Sequence, residues 1–201
     1  LKKVLFTFRL FATVGILACC IGACEQRGKY DQGYYPVDSL VTAQIRFLTN
    51  AKASATKFAK LGEKEETKTI HPIDSTGWID ELDIFRELRT LNKPINKGAY
   101  KVEDGLPDNK SNLKIKTIVT DKELPVRSMK IYYYGQLENI KRIEAQFNEV
   151  NSLYSSSRFL IMNFQDLNNK PVLSSYSVTG GQKMFLGDTV IFSIKGIVTL
   201  Q

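Results

Sequence analysis

The sequence predicts an α+β domain of two layers, with two N-terminal helices packed on one face of a curved antiparallel sheet of about six strands, a meander. Three observations carry this expectation. Apolar residues recur at helical spacing as far as Leu91, and from Leu113 onward the period changes from 3.6 to 2. The alternating segments are short and joined by brief connections, which suits antiparallel strands rather than crossover units. All three cysteines, Cys19, Cys20 and Cys24, precede the periodic part, so residues 25–201 must rest on an apolar core without disulfide or thiolate metal site. A length of 201 residues suits one domain.

The N-terminal segment reads as an address. Lys2, Lys3 and Arg9 form a basic region, and Leu10–Ala23 carries no charge. As a helix those residues would span about 21 Å, too short for a hydrocarbon core that wants ~20 apolar residues. Residues 1–23 therefore fit a secretory signal peptide. The stretch Ile21-Gly22-Ala23-Cys24 then resembles the lipobox of bacterial lipoproteins: an aliphatic residue, two small residues and a cysteine. The resemblance implies cleavage between Ala23 and Cys24 and a lipid on Cys24, because a thiolate is the nucleophile that takes the diacylglyceryl group. Ile16-Leu17-Ala18-Cys19 is a weaker second match, with bulky Leu17 where a small residue is preferred, and Cys20 is poorer still. An ordinary cleaved signal and an uncleaved anchor are the alternative readings of this stretch.

Residues 24–36 comprise the lipidated cysteine and a polar tether containing Gly28, Gly33 and a closing Pro36, and residues 37–201 form the single α+β domain. Asp38 or Ser39 offers a cap for a first helix. Its stripe is Leu40, Ala43, Phe47, Ala51, Ala55 and Phe58, widened by Leu48 and Ala59, with Gly62 as the stop. Residues 62–73 read as a charged loop. Asp74, Ser75 and Thr76 supply caps for a second helix from about Trp78 to Leu91, ended by Asn92-Lys93-Pro94. Residues 93–112 read as a long loop.

The strands follow by alternation. Ile115, Thr117 and Val119 mark the first; Met129, Ile131 and Tyr133 the second; Ile143, Ala145 and Phe147 the third. Leu160, Met162 and Phe164 mark the fourth, Tyr176 and Val178 the fifth, and Val190, Phe192 and Ile194 the sixth. Gly180-Gly181 reads as a hairpin turn between the last two. A helix followed by a one-sided curved sheet looks like cystatin-like and nuclear-transport-factor-like lipoproteins and the half-barrel carriers of lipoproteins. That is likeness of architecture and carries no function. LPVRSMKIYYYG and GGQKMFLGDTVIFSIKG also resemble stretches of uncharacterised envelope lipoproteins, without site residues to carry over.

Charge and motifs narrow the functional classes. Lys2, Lys3 and Arg9 supply three of the net seven positive charges, so the domain itself lacks the surplus of a nucleic-acid footprint. One histidine in the chain excludes multi-histidine zinc sites. That residue, His71, precedes Pro72 in a polar loop without a nucleophile motif. Asp80, Glu81 and Asp83 read as a solvated helix face, and Asp104, Asp108 and Asn109 as a polar loop lacking EF-hand order. Gly180-Gly181-Gln182-Lys183 lacks P-loop spacing. The sequence thus points to no catalytic residue, no metal and no cofactor.

The stretch of most interest is Ile131-Tyr132-Tyr133-Tyr134. With Tyr133 in the core, Tyr132, Tyr134 and Lys130 share the other face. With Phe159 and Ile161 on a neighbouring strand they would form an aromatic contact patch, although tyrosines also simply stabilise sheets. The function expected first is a lipid-anchored, non-enzymatic envelope protein at the outer membrane, acting on a protein partner and held to the membrane by the lipid on Cys24. The second is a module binding an apolar ligand or glycan on the sheet face, which requires an apolar cavity between helices and sheet. The third is a carboxylate hydrolase, which requires two acids converging in one cleft with a raised pKa.

Overall fold

The computed structural model describes residues 33–200; the lipobox, with Cys24 and Ala23, lies outside them. In chain order the elements are α1 (Val37–Asn50), β1 (Ser54–Leu61), β2 (Lys64–Ile70) and α2 (Ser75–Arg86). Two short 3₁₀ turns, Glu87–Asn92 and Pro94–Asn96, lead into β3 (Lys101–Pro107), β4 (Lys114–Val119), β5 (Val126–Tyr133) and β6 (Ile140–Val150). The chain ends with β7 (Tyr154–Leu167), β8 (Lys170–Met184) and β9 (Thr189–Thr199). Among the described residues the strands form one antiparallel sheet of nine, ordered β2-β1-β9-β8-β7-β6-β5-β4-β3.

This corrects the expected architecture. The sheet has nine strands rather than about six, and a hairpin separates the two helices in sequence. The class remains α+β. The hairpin β1–β2 comes from residues read as the second half of a helix and as a loop, and β3 from residues read as a loop.

The physical reason α1 stops early is its C-terminus. Lys52 sits in the left-handed region at φ 49°, its N–H donates to the Thr49 carbonyl (3.1 Å), and Ala53 N–H donates to the Leu48 carbonyl (3.0 Å). That pair of bonds is a Schellman cap, and buried Ala53 against buried Leu48 supplies its apolar contact. The chain emerges extended, with Ala55 and Lys57 on the inner face of β1 and Thr56 and Phe58 on the outer. The buried stripe of α1 is Val37, Val41, Gln44, Ile45 and Leu48. It is shifted from the expected Leu40, Ala43 and Phe47 stripe, of which Ala43 is exposed.

Gln44 is the polar member of that stripe, and it staples the helix to the sheet. Its amide nitrogen donates to the Pro171 carbonyl (2.9 Å) and its oxygen accepts from Leu173 N–H (2.8 Å). α1 is capped by no side chain; Asp38 instead accepts from Arg86 Nε (3.0 Å), tying the start of α1 to the end of α2. The two helices therefore run antiparallel. α2 is capped by Asp74, which accepts from the N–H groups of Thr76 (2.9 Å) and Gly77 (3.3 Å). Beyond Arg86 the expected helix continues only as the 3₁₀ turn that buries Leu88 and Leu91.

One cluster fills the space between the layers. Trp78, Leu82 and Phe85 of α2 and Val41 and Leu48 of α1 lie against Met129, Ile131, Ile143, Leu160, Met162 and Tyr176 from the sheet. Tyr34 and Tyr35, read from sequence as the end of a tether, belong to the same body. Tyr35 is buried, and Tyr34 donates through its hydroxyl to the Asn96 carbonyl (2.9 Å).

Gly180-Gly181 is not a turn but the interior of β8, a further correction. A Cβ on Gly180 would overlap the Ser157 carbonyl oxygen and stand 3.2 Å from Phe192 Cζ. Glycine is placed there for close approach. The actual turns are chemically marked: Asn168 and Asn169, both at positive φ, join β7 to β8, and Gly62 (φ 59°) joins β1 to β2.

Candidate functional site

At one end of the sheet the strands run on past the helices. The turns β6–β7, β8–β9 and β1–β2 meet there, as the register shows: Tyr154 faces Met184, and Leu61 faces Phe192. Phe185 N–H donates to the Leu153 carbonyl (2.9 Å), joining two of the turns, and Gly62 N–H donates to the Ile191 carbonyl of β9 (3.0 Å). The β6–β7 turn is shaped by Asn151, whose side-chain oxygen accepts from the N–H groups of Leu153 (2.8 Å) and Tyr154 (2.9 Å). Leu153 is thereby held outward.

Large apolar side chains stand exposed at this end among polar ones such as Asn151, Ser152, Lys183 and Asp188. Leu186 is 90% exposed and Phe185 and Val150 79% each, with Leu153, Ile191, Leu61, Met184 and Val190 also exposed. A hollow of about 280 Å³ between the turns is lined by Leu153, Tyr154, Met184 and Phe185 together with Asn151, Ser152, Ser155 and Lys183. Scattered exposed leucines need no explanation; apolar side chains gathered around one hollow do.

Just inside this end lies a half-buried charge cluster. Arg158 donates from Nη1 to Glu87 (3.3 Å), from Nη2 to Glu149 (3.3 Å) and from Nε to the Ser156 hydroxyl (3.2 Å). Tyr154 donates through its hydroxyl to the other Glu149 oxygen (2.6 Å). Burial holds the Glu87 carboxyl above its ordinary range, opposed by Arg158 and assisted by the charges of Glu149 and Asp83. Two acids thus converge, one with a raised pKa, which is the feature a carboxylate hydrolase requires. The guanidinium between them occupies both. The geometry is that of a clamp fixing the 3₁₀ turn to β7.

A second polar cluster sits under α2. Glu81 turns inward from the Asp80–Glu81–Asp83 group, pairs with Lys57 Nζ of β1 (2.8 Å) and accepts the hydroxyl of Tyr176 from β8. Asp80 and Asp83 are exposed. On the solvent side of the helices, Ile45 and Ile79 floor a groove of about 470 Å³ flanked by Arg46 and Arg86.

The residues singled out from sequence lie elsewhere. Tyr132 is on the outer face, donating to Glu144 (3.2 Å) with Arg142 over its ring at 6.0 Å. Burial and Glu144 raise the pKa of its hydroxyl. Tyr134 is half exposed in the β5–β6 turn, at the end of the sheet opposite the apolar turns. Lys130 is exposed and faces Glu144. Ile161 also faces Glu144, and Phe159 faces Gln146. Arg142, Glu144 and Gln146 therefore lie between the tyrosine and the two apolar residues it was expected to join.

His71 is exposed. Asp104 accepts the Tyr133 hydroxyl (2.7 Å) and stands 3.5 Å from Lys116. Asp108 accepts from Ser111 (2.7 Å) in a turn that also holds Asn109. Among the described residues, no group of three histidine, cysteine or acidic side chains is placed to hold a metal ion, and no helix is long and apolar enough to cross a membrane. Sequence reasoning missed Leu153, Phe185 and Leu186, because apolar residues next to strands carry no local sign that the covering helices end before them. In comparisons with known proteins, no family model, no curated protein and no solved structure matches the chain.

Proposed function

We propose that the chain is a lipid-anchored, non-enzymatic protein of the bacterial cell envelope, at the outer membrane, acting through protein–protein contacts made by the apolar end of its sheet. The observation that carries this reading is the group Leu153, Met184 and Phe185, exposed together around one hollow, with Leu186 next to them in the chain. Covering Phe185 and Leu186 alone would contribute roughly 3–6 kcal/mol before the cost of association. The lipobox-like Ile21-Gly22-Ala23-Cys24 supports the anchor, and exchanging Cys24→Ser is expected to release the protein from membranes.

The competing readings have less behind them. An apolar ligand between helices and sheet would find Trp78, Phe85, Met162 and Tyr176 already packed in that space. A hydrolase would need the carboxylates of Glu87 and Glu149 free of Arg158.

The test replaces Leu153, Phe185 and Leu186 by serine in the full chain. Because these side chains are exposed, the melting temperature should stay within about 2 °C of the parent. In native electrophoresis of gently solubilised envelopes, the parent should migrate in a hetero-complex and the variant should leave it. A parent that migrates without a second protein species contradicts the proposal.

A further inference from the structure

The two edges of the sheet are built differently, and the difference concerns self-association. β3 is a blunted edge: its register with β4 is broken between Glu103 and Leu106, Gly105 stands at φ 80°, and Pro107 lacks an N–H. β2 is the opposite. All seven of its residues, Lys64-Glu-Glu-Thr-Lys-Thr-Ile70, pair with β1 in one unbroken register, without glycine, proline or bulge. Six of the seven are exposed. The two-residue turn makes Leu61 and Lys64 a bonded pair, so by alternation Glu65, Thr67 and Thr69 turn their backbone N–H and C=O groups away from β1.

An open edge normally invites any strand, and charges on it normally repel copies of itself. The charges of β2 do the reverse in one register. A twofold axis perpendicular to the sheet pairs residues of like face, so only registers centred on a residue are allowed. Centred on Thr67, the strand meets its copy over all seven residues. Glu66 then faces Lys68 of the copy, Lys68 faces Glu66, Glu65 faces Thr69, Lys64 faces Ile70, and the two Thr67 residues face each other. No like charges meet. Moving the centre to Glu66 sets Glu66 against its own copy, and moving it to Lys68 sets Lys68 against its own copy.

The intrachain contacts point the same way. Lys57, Lys60 and Glu65 of the hairpin are paired within the chain. Glu66 and Lys68 have no ion pair among the described residues, and Lys68 stands opposite Lys57, a like charge. Glu66 of a second copy would complete that row. On the outer face, Phe58, half exposed, lies beside Thr67, so the twofold forms a Phe58–Thr67–Thr67–Phe58 row.

We infer that β2 is a homodimerisation edge, joining two copies by antiparallel pairing centred on Thr67 with two reciprocal Glu66–Lys68 pairs. One strand pair is a small interface, so the dimer should be weak and concentration dependent.

The experiment is sedimentation velocity of the full chain in non-ionic detergent over about 10–500 µM. The parent should shift from monomer to dimer. Glu66→Lys or Lys68→Glu alone places like charges opposite each other twice, and each should raise the dissociation constant at least about tenfold. The two single variants mixed in equal amounts should dimerise again, because each supplies what the other lacks, and Glu66→Lys with Lys68→Glu in one chain should restore self-association. A parent that stays monomeric overturns the inference. So does a dimer that both single variants keep, or a mixture that fails to recover. The serine substitutions at the apolar end should leave this equilibrium unchanged, which separates the two proposals.

Discussion

Tyr176 on β8 lies across Gly196, its cross-strand partner on β9, and the reach this allows brings its hydroxyl to Glu81 of α2. A Cβ at residue 196 would overlap the Tyr176 ring. The arrangement is repeated in reverse four residue pairs along the same ladder, where Phe192 of β9 lies beside Gly180 of β8. Each aromatic ring covers the bare backbone of a glycine, and the rings face the helices instead of crowding their own strand.

The first prediction concerns that fit. Gly196→Ala forces the Tyr176 ring off its position, where Phe85 meets it edge-on at 6.0 Å. The cost should be about 1–3 kcal/mol of overpacking, read as a lower urea midpoint at unchanged slope. Gly187→Ala, where an added Cβ finds only an ordinary 3.6 Å contact with Met184, should stay within about 0.5 kcal/mol.

The second follows from the polar group that Tyr176 reaches. Glu81 holds Lys57 and Tyr176 at once, with its side chain only 10% exposed. Tyr176→Phe should cost roughly 1.5–3 kcal/mol, the range for a bond to a charged acceptor. Glu81→Ala should cost at least as much, since it leaves two partners unsatisfied. In denaturant unfolding, the double variant should fall short of the sum of the singles; full additivity would show that the groups are not coupled.

What the sequence reveals of this fold is what burial writes into it. β4 to β8 bury residues of one face in the core, with Phe192 and Val198 of β9 partly buried against it, and Met129-Ile131-Tyr133 or Ile143-Ala145-Phe147 show the alternation plainly. The overlooked β2 and β3 are the two edges of the sheet, with few or no buried residues and hence no apolar period to read. β1 misled for another reason: Ala51, Ala55, Phe58 and Ala59 fall at helical spacing by coincidence, while the decisive residue is Lys52, whose left-handed backbone no composition marks. The charge clamp was illegible because Glu87, Glu149 and Arg158 lie on separate elements. The apolar end was illegible because exposure there depends on where α1 and α2 stop.

That reading of Lys52 gives the third prediction. A lysine in the left-handed region costs about 1–2 kcal/mol that glycine avoids, offset in part by the greater freedom of glycine in the unfolded chain. Lys52→Gly should therefore raise stability by about 0.5–1 kcal/mol, measured by thermal unfolding, and Lys52→Val should lower it.

The fourth concerns alkaline pH. Burial, with the neighbouring Tyr34, pushes the Tyr100 hydroxyl up to about 12, from an ordinary value of about 10. Between these values the folded chain keeps a proton the unfolded chain has lost, so stability falls as pH rises through that window. Tyr35 and Tyr176 are raised as well, chiefly by burial. Tyr100→Phe should cost about 1 kcal/mol at pH 7, through the lost bond to the Val126 carbonyl (3.0 Å). It should make the decline from about pH 10 to 12 shallower, as followed by circular dichroism.

The central claim is that the apolar end of the sheet meets a protein. The most direct measurement places a photo-crosslinking residue at Leu186, 90% exposed at that end, and separately at Ile73, fully exposed before α2. Irradiated in living cells, Leu186 should yield a discrete protein adduct and Ile73 none. Equal adducts at both positions, or crosslinks from Leu186 to lipid alone, would contradict it.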